Sequence, residues 1–281
     1  MSVNKYVDKV EDFKGKKILI TGATSGIGLE LTKHLLYKHA HIVMLARNID
    51  KANGIKAALL NTFPSAEIDI VKYDQANYEI IDSAVKEILD KHSDFYALVA
   101  NAGILHPEKN ELSVQGNPLT IDTNYLGLRR FLDQIIMTCH YKKVILQGSL
   151  AAGLVSGKKI DILNGNYPLF KQYNISKACV EALWYKYGTN NGDNEFILTE
   201  PGLAATDIIR GLNRVIRFLG RIYLLVFSHS SSKASLTLLK ALETSSHNFD
   251  YYVPRGPFTM FGYPKKKKFP KKRQKEYLIK Y

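Results

Sequence analysis

Along the chain, short apolar runs alternate with longer segments in which apolar residues recur at helical spacing. Lys17-Ile18-Leu19-Ile20 reads as a strand, 29–37 as a helix and 41–45 as a second strand. The alternation continues with a strand at 68–73, a helix at 78–91, a strand at 96–100, a helix at 120–138, a strand at 144–147, a helix at 173–187 and a strand at 196–199. Strands that alternate with helices predict an α/β fold built on a doubly wound parallel sheet. Ligands of such sheets sit at the carboxyl ends of strands. There this chain places Asp74, Asn101-Ala102-Gly103, Ser149 and Pro201-Gly202.

Composition changes the picture in one place. A length of 281 residues with 46% hydrophobic content suits one domain, 1–263. The formal net charge of +13 would suggest a polyanion partner, but Pro264 to Tyr281 holds nine of the 39 basic residues and one of the 26 acidic ones. The rest of the chain carries +5. The expectation is therefore a basic, disordered tail over 264–281 and no specific nucleic-acid site. The first residues lack the apolar core of a signal peptide, and no uninterrupted apolar run reaches the roughly 18 residues that span a bilayer, so a cytoplasmic location is expected. Cys139 and Cys179 offer no disulfide framework, and the eight histidines show no metal-ligand spacing.

The first strand runs into Thr21-Gly22-Ala23-Thr24-Ser25-Gly26-Ile27-Gly28 and then a helix. Glycines in such a turn let backbone N–H groups and the helix terminus approach a pyrophosphate, and the last one lets helix and strand pack closely. Gly22, Thr24, Ser25, Gly26, Ile27 and Gly28 are thus the candidate phosphate cradle of a dinucleotide. About 20 residues on, where an acid would grip the adenosine ribose of NAD, the chain has Ala46-Arg47-Asn48. A guanidinium attracts a 2′-phosphate that a carboxylate would repel, so Arg47 favours NADP(H) over NAD(H).

Three tyrosines stand four residues before a lysine: Tyr167/Lys171, Tyr173/Lys177 and Tyr263/Lys267. Residues at this spacing share one helix face. Tyr167 and Tyr263 each precede a proline, which disfavours helical geometry, whereas Tyr173/Lys177 continues into a periodic segment that ends near Gly188. Only that pair is expected to act on one substrate atom.

Together these residues resemble the single-domain short-chain dehydrogenase/reductases. The resemblance covers 17–207 and rests on the TGATSGIG turn, Asp74 after the third strand, ANAG at 100–103, Asn124 in TNYLG, Ser149 in QGSLAA and Tyr173/Lys177 in YNISK, with PGLAATD following. It implies a Rossmann-type sheet and a catalytic tetrad of Asn124, Ser149, Tyr173 and Lys177. It also implies cofactor contacts from the glycine turn, Arg47, Asp74, Asn101, Gly103, Tyr173, Lys177, Pro201, Gly202 and Thr206. In that scheme Tyr173 transfers the proton, Lys177 favours its phenolate and binds the nicotinamide ribose, Ser149 orients the substrate oxygen and Asn124 holds a water that relays protons to Lys177. Two departures stand out. The family's usual Asn-Asn-Ala-Gly begins here with Ala100, and Ser149 and Tyr173 are 24 residues apart, a longer loop that resembles the retinol-dehydrogenase-like branch. Members of that branch often act on lipophilic carbonyls or alcohols.

The family's substrate lid corresponds to 203–228. Here Arg210, Arg214, Arg217 and Arg221 form one helical stripe, and Val215, Ile216, Phe218, Leu219, Ile222, Leu225 and Val226 cover much of the rest. With the basic tail, this helix suggests a peripheral contact with an anionic membrane. The reading is an NADP(H)-dependent oxidoreductase acting on a small carbonyl or alcohol, compatible with a homo-oligomer. The alternative is a catalytically weak cofactor-binding regulator or membrane-recruited scaffold.

Overall fold

The computed structural model describes residues 1–105, 111–155, 162, 167–190, 192–203, 230–271 and 273. Among these, eight strands form one sheet: β1 (Lys17–Thr21), β2 (His41–Ala46), β3 (Ile68–Lys72), β4 (Asp94–Ala100), β5 (His140–Gln147), β6 (Glu195–Thr199), β7 (Tyr251–Pro254) and β8 (Pro264–Lys266). Their spatial order is β3-β2-β1-β4-β5-β6-β7-β8. All neighbours pair in parallel except β8, which runs antiparallel to β7. This is the doubly wound, Rossmann-type α/β/α sandwich that the alternating pattern predicts. Its strand order reverses between β1 and β4, which opens a crevice at the carboxyl ends of those strands.

Side chains alternate across the sheet, so each strand feeds two cores. Leu19, Val43, Leu98 and Val144 join one core. It is closed by helices α4 (Tyr78–His92), α6 (Gly127–Thr138) and α7 (Leu169–Asn190). Ile18, Ile20, Ile42, Met44 and Val99 join the other. That side is closed by α2 (Gly26–Tyr37) and by two further helices, α8 (Ser231–Ala234) and α9 (Leu236–Leu242). Most of these side chains are fully buried, and each large aliphatic one contributes roughly 1.5–3 kcal/mol relative to exposure.

The expected helix at 120–138 is interrupted. It begins as α5 (Leu119–Ile121), widens into a π-helical turn over Asp122–Leu126 and resumes as α6 at Gly127. The turn is anchored by the buried Asp122, whose carboxylate accepts from Tyr78 Oη at 2.9 Å, from Asn117 Nδ2 at 3.2 Å and from Ser113 Oγ. At Gly127 the carbonyl of Gln75 comes so close that an added Cβ would lie 1.7 Å from its oxygen. Here only glycine fits.

The basic tail corrects the expectation of disorder for its first part. Pro264–Lys266 forms β8, with Tyr252 opposite Lys266 and Pro254 opposite Pro264. Phe269 is buried between Trp184, at 4.9 Å between ring centroids, and Tyr251, at 5.4 Å. Lysine-rich segments read as solvated, but an edge strand also tolerates lysines, because alternate side chains project to solvent. Lys266 pairs with Asp250, and Lys267 and Lys268 are exposed. Residue 272 and residues 274–281 lie outside the described residues, as does the arginine stripe of the lid.

Candidate active site

The glycine turn sits over the switch point. Gly22 and Gly26 have φ of +70° and +52°, backbone that β-carbon-bearing residues rarely adopt. A Cβ on Gly28 would lie 2.3 Å from the Gly22 carbonyl oxygen, so the turn folds directly onto the start of α2. Ser25 occupies the N-cap of α2 without a side-chain hydrogen bond, and the first turn of the helix has no acid. Its leading N–H groups and positive dipole end are therefore available to an anion, which fits a dinucleotide pyrophosphate.

Asn101 braces this turn from below. Its Nδ2 donates to the carbonyls of Thr21 at 2.9 Å and Gly22 at 3.4 Å, while its Oδ1 accepts from Gln147 Nε2 at 3.1 Å. Thr21 Oγ1 accepts from the backbone N–H groups of Asn101 and Ala102 at 3.0 and 2.9 Å. Asn101 thus supports the cradle through its side chain. Asp74, at the end of β3, accepts from the Ala76 N–H at 3.0 Å and shapes the turn into α4. Arg47 is exposed at the end of β2, and its carbonyl accepts from Lys72 Nζ at 2.7 Å. Lys72 brings a second cation to the sheet edge that carries Arg47. Sequence reasoning missed it because the two residues are 25 apart and only the β2–β3 pairing joins them. Gly202, with φ +75°, follows Pro201 at the end of β6, where the Leu203 N–H donates to the Met260 carbonyl at 2.7 Å. Thr206 lies outside the described residues.

The four candidate catalytic residues come together from three elements. Ser149 follows β5 and caps the short 3₁₀ turn Leu150–Leu154, accepting from the Ala151 N–H at 3.2 Å. Tyr173 and Lys177 lie one turn apart on α7, both buried. The Tyr173 hydroxyl donates to Ser149 Oγ at 3.4 Å, a long contact that leaves both hydroxyls able to turn to a substrate oxygen. Lys177 Nζ donates to the Gln147 carbonyl at 3.0 Å. A Cβ on Gly103 would stand 3.1 Å from Asn124 Oδ1 and 3.5 Å from Lys177 Nζ, so the missing side chain there makes room for both.

Asn124 sits inside the π-helical turn and works as a clamp. Its Nδ2 donates to the Ile104 carbonyl at 2.8 Å and to Ser176 Oγ at 3.0 Å, and its Oδ1 accepts from the Ile104 N–H at 2.8 Å. Both amide hydrogens are committed, so its side chain fixes the loop after β4 against α7 and has one remaining lone pair for a water. Ser176, Gln147 and Ile104 were not legible as site residues, because two of them act through backbone atoms.

Burial decides the proton affinities. It pulls Lys177 down to about 8, with Glu181, one turn further along α7, pulling it back up. It pushes Tyr173 up, with the contact to Ser149 lowering it. The Lys177 ammonium faces the Gln147 carbonyl.

The family model described as short chain dehydrogenase matches residues 16–153. The short-chain dehydrogenase/reductase prx1 of Penicillium roqueforti is 27% identical over 223 residues, which cover 75% of this chain and 64% of that protein. The chain therefore spans just under two thirds of that relative. The human 3-keto-steroid reductase/17-beta-hydroxysteroid dehydrogenase 7 is 41% identical over 98 residues, 34% of this chain and 29% of that protein. A short chain dehydrogenase from Burkholderia cenocepacia, solved in complex with NADP, superposes with a TM-score of 0.66 at 16% identity, covering 86% of this chain and 97% of that one. By this match and these relatives the chain is similar to the short-chain dehydrogenase/reductases, a family of oxidoreductases that use nicotinamide cofactors. Among the described residues no helix is long and apolar enough to cross a membrane.

Proposed function

We propose that this protein transfers a hydride between NADP(H) and the carbonyl or alcohol group of a lipophilic small molecule. The observation that carries the reading is the Tyr173–Ser149 hydroxyl pair, set beside the buried Lys177 ammonium at the carboxyl edge of the sheet. A bound nicotinamide cofactor supplies or accepts the hydride. The chain's residues do the rest. Ser149 orients the substrate oxygen, Tyr173 gives it a proton or takes one, and Lys177 supplies positive charge beside Tyr173 and a donor for a cofactor ribose. Asn124 holds the loop after β4 against α7, and Gly103 leaves room there for Lys177.

Arg47 and Lys72 support NADP(H), since two cations at the ends of adjacent strands suit a 2′-phosphate better than a bare ribose. Support for a lipophilic substrate comes from Leu154 and Phe170, large exposed apolar residues on the segments that carry Ser149 and Tyr173. The long Ser149–Tyr173 spacing and the ketosteroid-reducing relative agree with that reading and with a place near the retinol-dehydrogenase-like branch. A peripheral contact with an anionic membrane is supported by the lid sequence and by exposed Lys267, Lys268 and Lys271. The test is NADPH consumption by purified protein across a panel of aldehydes, ketones and ketosteroids. Turnover of some member, lost in Tyr173→Phe, supports the proposal; equal rates in the variant would overturn it.

A further inference from the structure

The chain folds its basic tail onto the back of the helix that carries Tyr173 and Lys177. Arg273 reaches Glu181, which is fully buried one turn beyond Lys177 on α7, and donates a hydrogen bond to Glu181 Oε1. The guanidinium stacks over Phe269 at 5.1 Å, which itself packs on Trp184 of α7. It also lies near Gly153, in the turn that follows Ser149, where an added Cβ would be 3.8 Å from Arg273 Nη1. Arg273 therefore pairs with the helix that carries Tyr173 and lies near the turn that follows Ser149. A buried carboxylate at this distance would otherwise act on Lys177 with little screening, because the medium between them is protein.

We propose that Arg273 is a positioning residue of the catalytic site, balancing the Glu181 carboxylate behind Lys177 and so setting how much of that negative charge reaches the Lys177 ammonium. The basic tail is then a working part of the enzyme, which the count of its lysines does not suggest. Of the ionisable groups around the pair, Tyr173 and Cys179 share α7, Tyr125 faces Cys179 from the π-helical turn, Glu200 follows β6, Tyr251 is on β7 and Lys267 is on the tail. Glu200 and Tyr251 feel Arg273 as well, and both are pushed up by burial. Of the neighbouring carboxyl groups, Glu181 is the one that acts on Lys177.

The sign follows from the arrangement. Loss of Arg273 exposes Lys177 to more of the Glu181 charge, so Lys177 holds its proton more tightly. Loss of the Glu181 charge has the opposite effect. The inference rests on the reading of Lys177 as a working residue, so its test uses a readout besides turnover. NMR titration of the Lys177 ε-methylene signal, assigned by its absence in Lys177→Met, is recorded for the full chain, Arg273→Gln, Arg273→Lys, Glu181→Gln and the Glu181→Gln/Arg273→Gln double variant. Arg273→Gln is expected to raise the proton affinity of Lys177 by roughly tenfold, one pKa unit. Glu181→Gln, nearly isosteric, is expected to lower it. The double variant is expected to titrate where Glu181→Gln does, and Arg273→Lys to recover most of the original value. If Arg273→Gln does not fold, the fall in Glu181→Gln and the recovery in Arg273→Lys still decide the matter. An unchanged or lowered titration in Arg273→Gln, no fall in Glu181→Gln, or an equal shift with and without Glu181 overturns the inference. Where a carbonyl substrate is turned over, the pH profile of kcat/KM should move with the titration. Absence of turnover with an intact Lys177 response would refute the proposed function and leave this inference standing.

Discussion

In the proposed reaction Tyr173 exchanges a proton with the substrate oxygen. Its burial favours the neutral phenol, and Ser149 Oγ is the hydrogen-bond partner from which a substrate oxygen would take over. Tyr173→Phe removes that proton with little loss of binding surface, so kcat should fall at least ~10²-fold while the Kd for NADPH stays nearly the same. In the proposed reaction Lys177 would set the pH range. Its folded value of about 8 means that it is charged below that pH and neutral above it. NADPH affinity of the free protein should therefore weaken as pH rises through about 8, and Lys177→Met should show neither the affinity nor the dependence. A fluorescence titration at several pH values would show both. Arg47→Ala and Lys72→Ala should each weaken NADPH binding by about 1–3 kcal/mol, the range for a charge-assisted contact, and leave NADH nearly unaffected. Equal losses for both cofactors would make the two residues structural.

At the scale of the elements, the π-helical turn is what places Asn124. An unbroken α-helix over the same residues would rotate Asn124 away from Ile104 and Ser176, since each added residue turns the helix by roughly 100°. The turn is held by Asp122 and by the approach of the Gln75 carbonyl to Gly127. Gly127→Ala should lower stability by ~1–3 kcal/mol, the usual cost of overpacking, and reduce turnover further than stability explains. Thermal unfolding beside kcat at a temperature where the variant is folded would separate the two effects. The sequence showed this helix as one periodic run, because a single wide turn shifts the apolar stripe by only one position. It likewise hid the helix Ile49–Thr62, whose only buried residues are Ala52 and Leu59 and which has no stripe to detect.

At the scale of the molecule, the tail closes the sheet edge. Phe269 links β7 to α7 through Tyr251 and Trp184, and Arg273 ends the same path at Glu181. Phe269→Ala should cost about 3–5 kcal/mol, as large aromatic truncations in cores do, whereas Lys268→Gln/Lys271→Gln should leave the melting temperature nearly unchanged. That contrast also determines how a membrane contact is tested. Cutting the chain after Tyr263 would remove β8, Phe269 and Arg273 together with the charge, so co-sedimentation with anionic vesicles should compare the lysine substitutions with the intact protein.

The sequence by itself determined the alternating βα pattern and the glycine turn, because each depends on local spacing; it singled out Arg47, Tyr173 and Lys177 as candidates by spacing, and Asn124 and Ser149 by the family resemblance. Only the tertiary structure decided that Lys72 lies beside Arg47, that Asn124 spends its amide on Ile104 and Ser176, that Lys177 faces the Gln147 carbonyl, and that a lysine-rich tail carries an aromatic anchor and an arginine into the protein. These contacts join residues far apart in the chain, or use backbone atoms that every residue carries, and neither leaves a pattern in one dimension. Proton affinities belong to the same group, since burial and the partners that it brings together set them, and both come only with the fold.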